Sequence, residues 1–289
     1  MFNSILEEKT QEEIWEPIAI LGISMLRQRS PLFRLVFGVI SCIAINMHGA
    51  SGYERVSKYN LISELPDIYI HSESEKIGVT WQNGLVWDKP LIQKFYSILP
   101  KAERFVMLDI GAQTGSFSLL AKYFPNSEWY SFEPIQEATH VLKKNLELND
   151  INNVLVFQLA CSNFSGKTTL KMPAMHDWGL ATIGSNVQRF TTVTERSIEC
   201  IELDTFVAAH NIARVHFMKI DTEGAELLIL RGAQKMIARD HPIILMEYNP
   251  INMNQCGVHK EEIDAFLREM GYQWDLVSSE DILCIPIVR

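Results

Sequence analysis

Phe105-Val-Met-Leu-Asp109-Ile-Gly111-Ala112-Gln113-Thr-Gly115-Ser-Phe117 decides the fold. An apolar, β-branched run ends in an aspartate and two glycines, after which Phe117, Leu120 and Phe124 recur at helical spacing. The stretch reads as strand, tight turn, helix. In an open α/β sheet, ligands bind beyond the carboxyl ends of such strands, which makes Asp109, Gly111, Ala112, Gln113 and Gly115 candidate binding residues. Gly111 and Gly115 carry no Cβ to keep a ligand off the backbone, and the helix N-terminus offers N–H groups to a carboxylate. The spacing lacks the third glycine of a dinucleotide loop, so it suits a ligand without a pyrophosphate better.

Short apolar runs follow at 128–132, 154–159, 215–220 and 242–248, alternating with helical periods such as Ile263, Phe266, Leu267 and Met270. This is the pattern of βαβ units and a parallel sheet. Two last runs, 274–277 and 282–287, lie too close for a helical crossover and are expected to pair antiparallel. The periodicity changes near residue 100, dividing the chain into a mainly helical and irregular extension over 1–99 and a main domain over 100–289. Within that domain, 172–196 carries Pro173, Gly179 and Gly184 without clear periodicity and reads as a long loop acting as a substrate lid.

Two acidic features sit at the ends of strands. Glu133 closes the strand after the glycine loop, where a carboxylate can accept hydrogen bonds from both hydroxyls of a ribose. Asp221 ends the strand in Met218-Lys-Ile-Asp-Thr-Glu-Gly-Ala-Glu226 and is expected to cap the next helix, with Glu223 and Glu226 in its first turn. Glu247 closes the neighbouring strand. Carboxylates side by side raise one another's pKa or bind a hard cation such as Mg²⁺, with Asp221 and Glu247 as its ligands.

Composition narrows the functional classes. The 289 residues include 47% hydrophobic and 21% charged residues, an ordinary globular balance. Lys and Arg number 26 against 35 Asp and Glu, a net charge of −9, and no basic run appears that could neutralise several phosphates, which argues against a nucleic-acid partner. Cys42, Cys161, Cys200, Cys256 and Cys284 are scattered without a Cys-x-x-Cys pair. That fits neither a disulfide framework nor a zinc site and suggests a reducing cytoplasm. Residues 1–16 lack the charge and apolar pattern of a secretory signal. Residues 32–47 are apolar, but as a helix they would span only about 24 Å, short of a bilayer core of roughly 30 Å. They read as a buried helix or a peripheral membrane contact. Nothing in the sequence sets an oligomeric state.

The region 104–250 resembles the FkbM family of S-adenosylmethionine-dependent methyltransferases. LDIGAQTGSFS (108–118) matches its cofactor loop, FEP (132–134) its ribose acid, and LKKNLELNDINN (142–153) the approach to its third strand. KIDTEGAELLILRGA (219–233) followed by PIILMEYNP (242–250) is the most specific part. The resemblance implies a Rossmann-like class I methyltransferase sheet of seven strands, order 3-2-1-4-5-7-6, mostly parallel with the last strand antiparallel and helices on both faces. It also implies S-adenosylmethionine as cofactor and O-methylation of a sugar, glycan or natural-product hydroxyl. Near the adenine the family has an acidic residue after Ala-x-Ser, whereas this chain has Ala160-Cys161-Ser-Asn163, whose amide oxygen can still accept from an adenine amino group.

A hydroxyl acceptor has to lose its proton. Asp221 or Glu247 is the candidate base, with Glu223 nearby and His176 or Trp178 of the lid against the acceptor. The Asn/Asp-Pro-Pro-aromatic motif of amino-methylating enzymes is absent, and His216 within a strand reads as a packed side chain. Two alternatives stand beside this reading, a nicotinamide-dependent oxidoreductase and a non-catalytic scaffold.

Overall fold

The structure is a computed structural model that describes residues 56–77, 81–82, 85–86, 88–173, 178–187, 189–191 and 193–287. The first 55 residues of the extension, with the apolar stretch 32–47, and His176 lie outside the described residues. Val56–Arg289 form one compact unit, which opens with the short strands β1 (Val56–Tyr59), β2 (Ile68–His71), β3 (Trp81–Gln82) and β4 (Leu85–Val86).

Its centre is a seven-stranded sheet made by β5 (Val106–Ile110), β6 (Glu128–Phe132), β7 (Val154–Phe157), β11 (Phe217–Ile220), β12 (Ile243–Glu247), β13 (Tyr272–Leu276) and β14 (Asp281–Pro286). They lie in the order β7-β6-β5-β11-β12-β14-β13. β14 runs antiparallel to both β12 and β13, and the other neighbours pair in parallel. This is the class I methyltransferase order 3-2-1-4-5-7-6. The apolar runs at 105–110, 128–132, 154–159, 215–220 and 242–248 all contain strands, because strands buried on both faces need apolar residues at nearly every position.

Alternation sorts each strand between two cores. Leu108, Ile110, Phe132, Met218, Ile220 and Met246 belong to one, which the helices Leu203–Ala209, Glu226–Gly232, Gln234–Asp240 and Lys260–Glu269 cover. Met107, Trp129, Phe217, Leu245 and Leu283 face the other. That second face is covered in part by residues 56–99, which bury Tyr59, Ile68, Ile70, Trp81, Ile92 and Phe95 in it. Near the carboxyl ends the same face becomes polar. Ser131, Asp109 and Lys219 stand side by side in register across β6, β5 and β11.

Two local expectations are corrected. The segment after Gly115 is a short 3₁₀ helix, Ser118–Tyr123, not a full α-helix. Ser118 spends its hydroxyl on Asp109 Oδ2 at 2.5 Å, and the segment ends at Phe124, whose N–H reaches Ala121 O. Residues 172–196 are not a loop throughout. Their ends lie in β9 (Gly166–Pro173) and β10 (Val193–Ile201), which pair antiparallel from Gly166↔Cys200 to Pro173↔Val193, and β10 also pairs in parallel with β8 (Ala160–Cys161). Most of β10 is exposed or half-buried, so no apolar alternation marks it as a strand.

The glycine loop is held mainly by the protein itself. Gly111 has φ +78°, and a Cβ there would stand 1.9 Å from the Asp221 carbonyl oxygen; at Gly115, with φ +105°, it would stand 2.5 Å from Leu142 Cδ1. The missing side chains therefore admit the Asp221 backbone and the Leu142 side chain, where the sequence suggested a ligand. A Gly111→Ala substitution combines positive-φ strain with a backbone clash, and it is expected to lower stability by about 2–4 kcal/mol. Urea unfolding will read this as a reduced midpoint at unchanged slope.

Candidate functional site

Beyond the carboxyl ends of β5, β6 and β11 lies an open cavity enclosing about 790 Å³, the solvent at its mouth included. One part of its wall is apolar, with Phe132, Ile135, Leu159, Cys161, Trp178 and Ile183; the other carries Asp88, Gln113, Glu133, Lys219, Asp221 and Glu223.

Glu133 is the best-held acid in that wall. It is 5% exposed, with Oε2 accepting from Gln113 N at 2.9 Å and Oε1 from Ile135 N at 2.8 Å. Two fixed N–H groups orient the carboxylate, and each oxygen keeps a further lone pair for a ligand hydroxyl. Burial pushes its pKa up to about 7 against those two hydrogen bonds and Lys219. Gln113 itself holds φ +48°, an uncommon conformation for a side chain with a Cβ, and it presents the N–H that Glu133 needs.

Asp109 does not line the cavity. It is fully buried, its Oδ2 accepts from Ser118 and its Oδ1 lies 3.7 Å from Lys219 Nζ. Burial raises its pKa, opposed by Lys219 and Ser118. Ala112 and Gly115 also stand outside the lining. The backbone N–H groups of Gly111 and Ala112 both donate to Phe132 O, and that of Gly115 to Ala112 O. These N–H groups serve the turn, not an incoming carboxylate.

Lys219, which sequence reasoning passed over, organises the polar end. The residue is 4% exposed, and its ammonium donates to Gly111 O at 2.9 Å and stands 3.7 Å from Asp109 Oδ1 and 3.5 Å from Asp221 Oδ2. Burial alone would lower its pKa, but Asp221, Asp109 and Asp88 outweigh it and hold the pKa above the ordinary value. Asp88 was missed as well. It lines the cavity, and burial, reinforced by Asp221, raises its pKa to about 6. Lys219 left a signal, a cation in the middle of an otherwise apolar strand. Asp88 left none, because only the packing of 56–99 against the sheet brings it there.

The acidic stretch after β11 folds differently from the expected cap. The helix starts at Glu226, and Asp221 is not its N-cap. Instead the buried Glu226 carboxylate reaches back, its Oε1 accepting from Thr222 N, Thr222 Oγ1 and Gly224 N. This leaves Asp221 and Glu223 lining the cavity. Glu223 holds φ +56° and pairs with Arg189, Nη1 to Oε2 at 3.1 Å. Glu247 stands behind them, outside the cavity wall but with a carboxylate oxygen within 4.8 Å of oxygens from Asp221 and Glu223. Burial first, and then Glu226, Asp221 and Glu223, push its pKa far above the carboxylate range.

The lid residues divide. Trp178, Gly179, Ala181 and Ile183 line the cavity. Thr182 Oγ1 donates to Glu223 O at 2.9 Å, which ties this stretch to the acidic loop. Cys161 lines the apolar part, whereas Asn163 is exposed and borders a separate surface depression with Arg231 and Glu262. The amide contact expected between Asn163 and an adenine gains no support, because Asn163 lies outside the cavity lining.

Residues 109–274 match the methyltransferase FkbM domain. The chain belongs to the FkbM methyltransferase family. Its similarity to curated proteins is distant. It is 24% identical to Methyltransferase 1 of Beauveria bassiana (strain ARSEF 2860), over 49% of this chain and 63% of that protein, and 24% identical to Methyltransferase sdnD of Sordaria araneosa, over 57% and 73%. The match thus spans less than two thirds of the first relative's length. A solved methyltransferase FkbM from Methylobacillus flagellatus KT aligns at a TM-score of 0.41 and 17% identity, covering 66% of this chain and 47% of that one. The family matched is one of methyltransferases, and the antiparallel β14 sets the sheet apart from the 3-2-1-4-5-6 order of dinucleotide-binding oxidoreductases.

The raised pKa of Glu133 gives a signed pH effect. The folded protein keeps this proton to about pH 7, whereas the unfolded chain releases it near 4.5, so the group's contribution to stability falls as pH rises through that window. Between pH 5 and 7 the loss amounts to about 2 kcal/mol. Glu133→Gln removes it, so urea unfolding of the ligand-free protein at the two pH values will find the variant gaining about that much relative to wild type.

Proposed function

We propose that this chain is an S-adenosylmethionine-dependent methyltransferase acting on a hydroxyl oxygen of a sugar, glycan or natural-product acceptor. Glu133 carries the reading. A buried carboxylate, oriented by two backbone N–H groups and set between an apolar wall and a cation, suits the ribose of an adenosine. Phe132, Leu159 and Cys161 offer apolar surface for the adenine ring. When bound, S-adenosylmethionine supplies a methyl group on a positively charged sulfur, which an acceptor oxygen attacks in line while the carbon–sulfur electron pair returns to sulfur.

The chain's own residues have three tasks. Glu133 and the apolar wall hold the nucleoside end. Trp178, Ala181 and Ile183 exclude water from the opposite side. Positioning of this kind can supply about 7–11 kcal/mol of barrier reduction. The acceptor's hydroxyl proton needs a carboxylate within reach, and Asp221 and Asp88 both face the cavity. Glu247 stands behind that wall and suits support of Asp221 better than contact with the acceptor.

The reading is tested by isothermal titration. S-adenosylhomocysteine is expected to bind at one site, NAD to give no heat, and Glu133→Ala to weaken S-adenosylhomocysteine at least about tenfold, since hydrogen bonds to a charged group contribute about 1.5–3 kcal/mol. Absence of S-adenosylhomocysteine binding by the wild type, or an unchanged affinity in the variant, overturns it. Asp221→Asn with cofactor affinity and methyl transfer both unchanged would remove Asp221 from the mechanism.

A further inference from the structure

The loop after β11 and the end of β12 bring three carboxylates together. Asp221, Glu223 and Glu247 each offer an oxygen, and these oxygens lie within 4.8 Å of one another. Glu247 is 7% exposed, and while its Oε1 accepts from Asn252 Nδ2 at 2.5 Å, its Oε2 has no hydrogen-bond partner. A buried carboxyl oxygen without a partner, set among other carboxylates, is costly unless a proton or a metal cation completes it. Lys219 stands on the Asp221 side at 3.5 Å and Arg189 on the Glu223 side at 3.1 Å. Among the described residues neither cation is paired with Glu247 by a salt bridge.

We propose that Asp221, Glu223 and Glu247 hold a hard divalent cation at the edge of the cavity. Oxygens within 4.8 Å of one another need only small side-chain shifts to stand at about 2.3–2.6 Å from a Ca²⁺-sized ion, and the smaller Mg²⁺ needs a tighter set. Hard cations of this type take carboxylate oxygens and keep several waters. Asp221 is the entry side, its side chain being 42% exposed. Because Asp221 and Glu223 also line the cavity, the ion's open positions face the acceptor, where they polarise a hydroxyl or a pair of adjacent oxygens. That role rests on the methyltransferase reading. The binding of the ion does not.

Mn²⁺ binding, followed by electron paramagnetic resonance on the cofactor-free protein, tests the site. One equivalent is expected to bind. Glu247→Gln is expected to weaken it at least tenfold, and Glu262→Gln, an exposed acid paired with Arg231, to leave it unchanged. Should Glu247→Gln not fold, Fe²⁺ with ascorbate and peroxide applied to the wild type is expected to cut the backbone near residues 221–224 and 247, read by mass spectrometry. No stoichiometric Mn²⁺ binding, an equal loss in Glu262→Gln, or cleavage elsewhere overturns the proposal. So does displacement of Mn²⁺ by S-adenosylhomocysteine, which would assign the cluster to the ligand's ammonium group instead. S-adenosylhomocysteine binding without Mn²⁺ binding rejects the cation site alone, and the reverse rejects only the methyltransferase reading.

Discussion

The ammonium of Lys219 is the interaction on which the functional end of the molecule depends. An isolated charge in a protein interior carries a desolvation penalty of several kcal/mol, and removing one partner of a buried pair typically costs 3–5 kcal/mol. Lys219 sits in the middle of β11, flanked by the apolar Met218 and Ile220, and its ammonium meets the Gly111 carbonyl and the carboxylates of Asp109 and Asp221. Those groups come from the end of β5, its turn, and the end of β11. One buried cation thus joins the glycine loop to the acidic loop, and the absence of a Cβ at Gly111 lets the two backbones approach closely enough for it to do so.

This joint lies where the chain reverses its direction of travel across the sheet. From β5 the strands run outward through β6 to β7, and the chain then returns to the other side of β5 as β11. Connections leave β5 and β11 towards opposite faces, and a crevice opens between them at their carboxyl ends, the general position of ligand sites in such sheets. Gly111, Gln113, Glu133, Lys219 and Asp221 all line it. Their convergence follows from topology and register, with Lys219 opposite Asp109 and Asp109 opposite Ser131.

Much of this was legible in the chain itself. Buried parallel strands need unbroken apolar runs, and each of the five marked a strand. Glu133 was readable because an acid at the end of the second strand has a chemical use there. Features that rest on tertiary contact were not legible. Asp109 looked like a ligand contact and proved to be a partner of Ser118 and Lys219, while Asn163 looked like a neighbour of the adenine and lies outside the cavity. Asp221 looked like a helix cap, but Glu226 satisfies that loop from within the helix. The β9–β10 ribbon was not legible because β10 is mostly exposed or half-buried, and such a strand carries no hydrophobic alternation.

The two sides of the cavity differ in how firmly they are specified. On the sheet side, Gly111, Glu133 and Asp221 stand at the ends of strands whose register is locked by two apolar cores, and a one-residue slip would turn every core side chain to the wrong face. The opposite side is built from the stretch around Trp178–Ile183, which touches the sheet's end through Thr182 and Glu223, and from Asp88, brought in by the packing of 56–99. Trp178, Ala181 and Ile183 are only partly buried against the apolar clusters, so this part of the wall is free to change with less disturbance to the cores than the strand ends are.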